Sequence, residues 1–174
     1  MLEIRPARPE DLDDVWPLVR RAVAGMRALG NPQWGEDYPT RADYEGDIAR
    51  GELFAAFDGE TLAGVACINT AEAPEYDSLP WTTHRPAEVI HRMAVDPQLQ
   101  HRGVGRAFFA FAQKLALDRG VAALRIDTYC ENHRMQQLIR KMGYTPVGEV
   151  RFRSRSGPFY CFEKQLNGEE NLAF

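Results

Sequence analysis

The sequence predicts an α/β fold of the α+β kind, and three observations carry that expectation. Short apolar runs with a two-residue alternation take turns with amphipathic stretches stepping by three and four residues. No internal repeat interrupts them, and 174 residues suit one domain better than two. With 44% hydrophobic residues, a chain of this size can bury roughly 70% of the surface its unfolded form exposes, so no metal or disulfide staple is required. A single domain is expected over residues 1–166, with a frayed C-terminal tail at 167–174.

Leu2-Glu3-Ile4 alternates as a short strand, and the prolines after it break the run. Leu12, Val15, Trp16, Val19, Val23 and Met26 then form one apolar stripe, predicting a helix over 10–29 that Gly30 closes and that holds Pro17 near its first turns. Trp34 and Tyr38 lie in a loop rich in Gly and Pro, where they serve either as a pocket wall or as anchors on the core. Thr40 and Asp43 have capping-box spacing for a short helix through Ile48. Residues 53–58 and 62–70 flank Asp58-Gly59 as a hairpin. After a polar stretch with three prolines at 71–86, residues 89–95 read as a strand ended by Asp96-Pro97. A helix up to Gly120, a strand at 122–129, a helix at 135–142 ended by Gly143, and strands at 147–152 and 159–166 complete the order.

Twenty-one basic against 25 acidic residues give a net charge of −4. That balance carries no nucleic-acid footprint, so an anionic ligand must be caught by a local basic or backbone-amide site. Cys67, Cys130 and Cys161 are odd in number and form no CxxC pair, against a disulfide framework or zinc ribbon. The four histidines have no HxxxH spacing, and no metal is expected. No apolar run reaches signal-peptide or membrane-span length, and a cytoplasmic protein without a membrane partner is expected.

The most informative stretch is Gln100-His101-Arg102-Gly103-Val104-Gly105-Arg106, between a strand and a long helix. A dinucleotide fingerprint would need glycine where Phe108 stands, and no GxxxxGK[ST] occurs. What remains is Gln100-x-x-Gly103-x-Gly105, glycines where helical N–H groups lack internal acceptors. Such a turn suits a pyrophosphate: the backbone can come close, and the amides with the positive helix end attract the anion. His101, Arg102 and Arg106 add side-chain donors.

Following Met93-Ala94-Val95-Asp96-Pro97, this turn resembles the acetyl-CoA signature of the GNAT N-acetyltransferase superfamily. Ile126-Asp127-Thr128-Tyr129, Asn132 and Lys141-Met142-Gly143-Tyr144 resemble that family's second block, and the element order matches over nearly the whole chain. The resemblance implies a mixed, mostly antiparallel sheet of about seven strands, splayed between the fourth and fifth and flanked by about four helices. It also implies acetyl-CoA as donor, with pyrophosphate on the amides of residues 101–106 (His101, Arg102, Gly103, Val104, Gly105, Arg106). Gln100 would hold the turn, Met93 and Val95 would meet the pantetheine arm through backbone bonds, and Asn132 would bond that arm or the far end of the cofactor. The family often pairs through edge strands, so a homodimer is expected.

An amine near lysine's pKa is about 99.9% protonated at pH 7, so a base or water relay must take its proton. His91 is the favoured base. It precedes Met93 by two, which by strand period puts both on one face, and its unperturbed pKa near 6.5 suits the task. In the arylalkylamine N-acetyltransferases of the family an imidazole stands nine residues before the same motif. Glu88 is the second candidate, on the opposite face unless a bulge intervenes. Many family members carry a tyrosine where Ile139 stands, so the usual thiolate protonator is missing. Either Tyr129 replaces it or the thiolate leaves unassisted. A covalent acetyl-enzyme on Cys130 is not expected. Trp34, Tyr38 and Trp81 are expected to wall the acceptor site. The expected function is direct acetyl transfer to a small-molecule amine, or to a peptide amine. The alternative is a catalytically weak, CoA-binding sensor or regulatory module, suggested by Ile139.

Overall fold

Local sequence rules account for most element boundaries. In the computed structural model, which describes residues 1–84 and 86–166, the chain forms β1 (Leu2–Pro6), α1 (Leu12–Ala28), α2 (Arg41–Ala49), β2 (Leu53–Asp58) and β3 (Thr61–Asn69). It continues through β4 (Glu88–Val95), α3 (Val104–Asp118), β5 (Ala123–Tyr129), α4 (His133–Lys141), β6 (Thr145–Val150) and β7 (Phe159–Gln165). Thr40 caps α2 reciprocally: its hydroxyl accepts from the Asp43 N–H, and Asp43 accepts from the Thr40 N–H at 2.7 Å. The expected first helix begins later than residue 10, because Pro9–Asp11 close as a separate 3₁₀ turn. The tail at 167–174 lies outside the described residues.

Contacts group into two compact units, Met1–Ile68 with His91–Phe109, and Asn69–Ile90 with the chain from Ala110 onward. In the first, the strand order is β1-β2-β3-β4. Register pairs such as Ile4 with Ala56 and Ala55 with Val65 join β1, β2 and β3 antiparallel. Val15, Leu18 and Val19 of α1 are fully buried with Tyr44, Leu53, Ala55, Val65 and Cys67, each large side chain contributing roughly 1.5–3 kcal/mol. Gly64 sets the spacing: a Cβ there would lie 2.8 Å from the Ala94 carbonyl oxygen and 3.0 Å from Val104. Only glycine lets β4 and the start of α3 come this close.

In the second unit the order is β4-β5-β7-β6. β5 pairs antiparallel with β7 along its whole length, whereas its parallel register with β4 pairs Glu88 with Leu124 and Val89 with Arg125. The seven strands thus make a mixed, mostly antiparallel sheet. Tyr76, Trp81, Val89, Tyr129, Val150, Phe159 and Cys161 form this unit's aromatic-rich cluster.

Candidate active site

β4 leads into the glycine turn through a short 3₁₀ segment, Pro97–Leu99, whose preceding residue Asp96 accepts from the Gln98 N–H at 3.0 Å. Arg21 donates to the other Asp96 oxygen at 2.7 Å. Burial alone would raise the Asp96 carboxyl, but the Arg21 guanidinium outweighs it and holds the pKa below the usual range.

His101 and Gly103 have φ of 72° and 80°, two left-handed residues separated by one. Gln100, His101, Arg102, Gly103 and Arg106 are exposed. The Ala107 N–H donates to Gly103 O at 2.9 Å, so the helix ladder starts there. The amides of Val104, Gly105 and Arg106 therefore precede the first intrahelical bond. A Cβ on Gly103 would meet nothing within 4 Å, so the turn is open toward a ligand. Alternating left-handed residues before a helix make a concavity of N–H groups, and that donor set fits a pyrophosphate. Arg102 rests on Asp58 at 3.0 Å at the surface.

Upstream, β4 carries one left-handed residue, Arg92, with φ of 47°. Arg92 and Ala94 share a side: Arg92 reaches Cys67, and Ala94 packs in the cluster that contains Cys67 and Val65. Non-glycine residues pay about 1–3 kcal/mol for such a backbone, and the anchor here is on α2. Arg92 Nε and Nη2 donate to the two oxygens of Asp47 at 2.7 Å each, and Tyr44 Oη donates to Arg92 O at 3.4 Å. Nη1 donates to the Tyr38 hydroxyl at 3.2 Å. Burial would lower the Arg92 pKa, but hydrogen bonding to Asp47 more than reverses it. Asp47, Glu52 and Cys67 bring ligand atoms within 4.8 Å of one another. Guanidinium groups nevertheless hold both Asp47 oxygens and Glu52 Oε2, while burial pushes the Cys67 thiol up to about 12. That donor set is an ion-pair network.

The other sequence candidates are distributed as follows. His91, Met93 and Val95 are half-buried on β4. Glu88 is fully buried, with one oxygen on Arg119 at 2.8 Å and the other without a hydrogen-bond partner among the described residues. Tyr129 is buried; its hydroxyl accepts from the Gly157 N–H at 3.0 Å, and Gly157 must be glycine because a Cβ would lie 2.6 Å from that oxygen. Asn132 caps α4, accepting from the Met135 N–H at 3.3 Å. Trp34 is built into the core under α1, whereas Tyr38 is exposed on Arg92. Trp81 is buried against Tyr76, donating to its carbonyl at 2.9 Å, and the Arg125 guanidinium stacks over its ring face at 4.2 Å in a cation–π contact. Ile139 is fully buried.

Two polar features escaped the sequence reading. Asp47 shares an inward helix face with Tyr44 and Ile48, a charged residue at a core position. Arg125, Asp127 and Tyr129 occupy alternate positions of β5, and Asp127 accepts from the Tyr76 hydroxyl at 2.5 Å. A polar alternation in a central strand was the available signal for the second.

Residues 23–144 match the model of the acetyltransferase (GNAT) family. A GNAT-family acetyltransferase from Streptococcus agalactiae is 28% identical, with a TM-score of 0.83 over 95% of this chain and 96% of that one. The ribosomal-protein-S18-alanine N-acetyltransferase of Escherichia coli shares the fold at 19% identity, TM-score 0.69, over 100% of both chains. So does the PaiA N-acetyltransferase of Thermoplasma acidophilum, solved with coenzyme A, at 18% identity and TM-score 0.69 over 95% of this chain and 99% of that one. No curated protein matches the sequence.

Proposed function

Because the chain belongs to the acetyltransferase (GNAT) family, and is an acyltransferase of a fold that binds acetyl-CoA, we propose that it transfers acetyl directly to the amine of a small molecule. The observation that carries this reading is the exposed turn with left-handed His101 and Gly103 opening α3.

When bound, acetyl-CoA supplies an acetyl group activated as a thioester. The amides of residues 101–106 hold the pyrophosphate, with Gln100 shaping the turn and Arg102 and Arg106 adding charge. Met93 and Val95 offer backbone groups to the pantetheine arm, and Asn132 contributes from the start of α4. His91 takes the proton from the ammonium form of the amine, the step without which nitrogen has no lone pair to attack with; Glu88, held by Arg119, is the weaker candidate. A β4 amide near left-handed Arg92 donates to the carbonyl oxygen as negative charge develops there. Tyr129, whose hydroxyl accepts from Gly157 and is a stronger donor for it, is the candidate to protonate the leaving sulfur. Tyr38, Trp81 and Trp34 are the aromatic candidates for contact with the acceptor.

Calorimetric titration with acetyl-CoA followed by thiol release against amines and a peptide tests the reading. Gly103→Glu is expected to abolish acetyl-CoA binding while the folded circular-dichroism spectrum is kept, with a melt lowered by the roughly 1–3 kcal/mol that a non-glycine residue costs at φ of 80°; undiminished affinity would sink the turn assignment. His91→Ala is expected to lower turnover by roughly 10²–10⁴, and a parental rate would remove His91 from the role of base. Binding without thiol release for any amine would favour a sensor.

A further inference from the structure

We propose that Asp127 receives the ammonium group of the acceptor, and that the acceptor is a cationic amine on an apolar or aromatic carbon frame; the proposal rests on acetyl transfer to an amine being the reaction.

The first observation is a missing counter-ion. Every carboxylate among the buried residues has an arginine: Asp47 has Arg92 and Arg50, Glu88 has Arg119, Asp96 has Arg21 and Glu163 has Arg125. Asp127 is half-buried on β5, and among the described residues its hydrogen bond comes from a neutral phenol, Tyr76. That phenol is fixed in turn, since Trp81 donates to the Tyr76 carbonyl and the two rings lie 5.1 Å apart.

The second observation is the sign of the surroundings. Glu75 faces Asp127 from the same 3₁₀ turn as Tyr76, and Cys161 faces it from β7 with a thiol pushed up to about 12 by burial. On β5 itself Arg125 is shared between Glu72 and Glu163. The Arg125 guanidinium is thus taken up by Glu72 and Glu163, and the charge facing Asp127 from Glu75 is negative, which favours a cation and disfavours an acceptor that carries its own carboxylate. Desolvation pushes the Asp127 carboxyl up to about 6, against the lowering by Tyr76. An ammonium ion would relieve that penalty by supplying the charge the fold withholds.

The third observation is the wall. Tyr76, Trp81, Tyr129 and Phe159 cluster here with Val89, which precedes His91 by two residues on β4. Arg125 lies 4.2 Å over the Trp81 ring, so one aromatic face of this cluster already holds a cation.

Calorimetry with phenethylamine, a cation at pH 7, phenethyl alcohol, its neutral counterpart, and phenylalanine, a zwitterion, tests the site independently of turnover. The wild type is expected to bind the amine at least about tenfold more tightly than either comparator, a difference of about 1.4 kcal/mol. Asp127→Asn is expected to lose that preference with an unchanged melt and unchanged acetyl-CoA affinity. Tyr76→Phe is expected to keep the preference but to lose amine binding at a higher pH on acidification, because the carboxylate loses its stabilising donor. Equal binding of amine and alcohol, an Asn variant as selective as its parent, or no amine binding by the wild type would overturn the site. Failure of acetyl-CoA to bind in the parallel titration would instead overturn the reaction on which it rests.

Discussion

Asp47 and Asp127 are two carboxylates set into the protein in opposite ways. Asp47, fully buried on α2, is gripped at both oxygens by Arg92 and again by Arg50. Asp127, half-buried on β5, is given a phenol and acidic neighbours. The fork of Arg92 satisfies the carboxylate and anchors a left-handed residue of the strand that leads to the cofactor turn, so the charge there is spent on architecture. Among the described residues the charge on Asp127 has no such partner, which leaves it available to something that arrives from solution. Burial alone therefore says little about a carboxylate's role; the identity of its donor says more.

The largest way to break this contrast is to strip the first site. Arg92→Met leaves Asp47 buried with only the more exposed Arg50, and a loss of roughly 3–5 kcal/mol is expected in urea denaturation, with most of it regained in the double variant Asp47→Leu, Arg92→Met. A single variant as stable as the parent would show that the pair does not anchor β4.

The second site should respond in the opposite sense. The folded carboxyl of Asp127 holds its proton more tightly than the unfolded chain does, so its contribution to stability is greatest below the ordinary carboxylate range and is lost as pH rises through about 6. At most roughly 3 kcal/mol is involved. Asp11 and Asp96, whose pKa values are lowered, act with the reverse slope at lower pH. The difference between the parent and Asp127→Asn isolates the effect: the Asn variant is expected to gain stability relative to the parent between about pH 4 and 6, and parallel curves would refute it. The smallest effect belongs to Arg50→Gln, whose guanidinium is more than half exposed at 56%; its melting temperature is expected to stay within measurement error of the parent's.

How much of this was legible beforehand follows from the range of each interaction. Thr40 and Asp43 signal the start of α2 because a capping box closes within three residues. Asp58-Gly59 marks the β2–β3 turn because Gly59 supplies the positive φ a tight turn needs. The cofactor turn is equally local, since the glycines, the helix start and the flanking basic residues fall within seven positions. By contrast, the left-handed backbone at Arg92 has no local signal, because a strand pattern assumes an extended backbone at every residue and Arg92 is anchored by a helix residue 45 positions earlier.

By itself, then, the sequence determined the order of strands and helices, the glycine turn that opens α3 and the family resemblance carried by Gln100 to Arg106. The tertiary structure alone decided which carboxylate meets a guanidinium and which a phenol. Tyr76 and Asp127 are 51 positions apart and Asp47 and Arg92 are 45. Charge pairing across such separations depends on which faces the folded strands and helices bring together, and no local propensity encodes that.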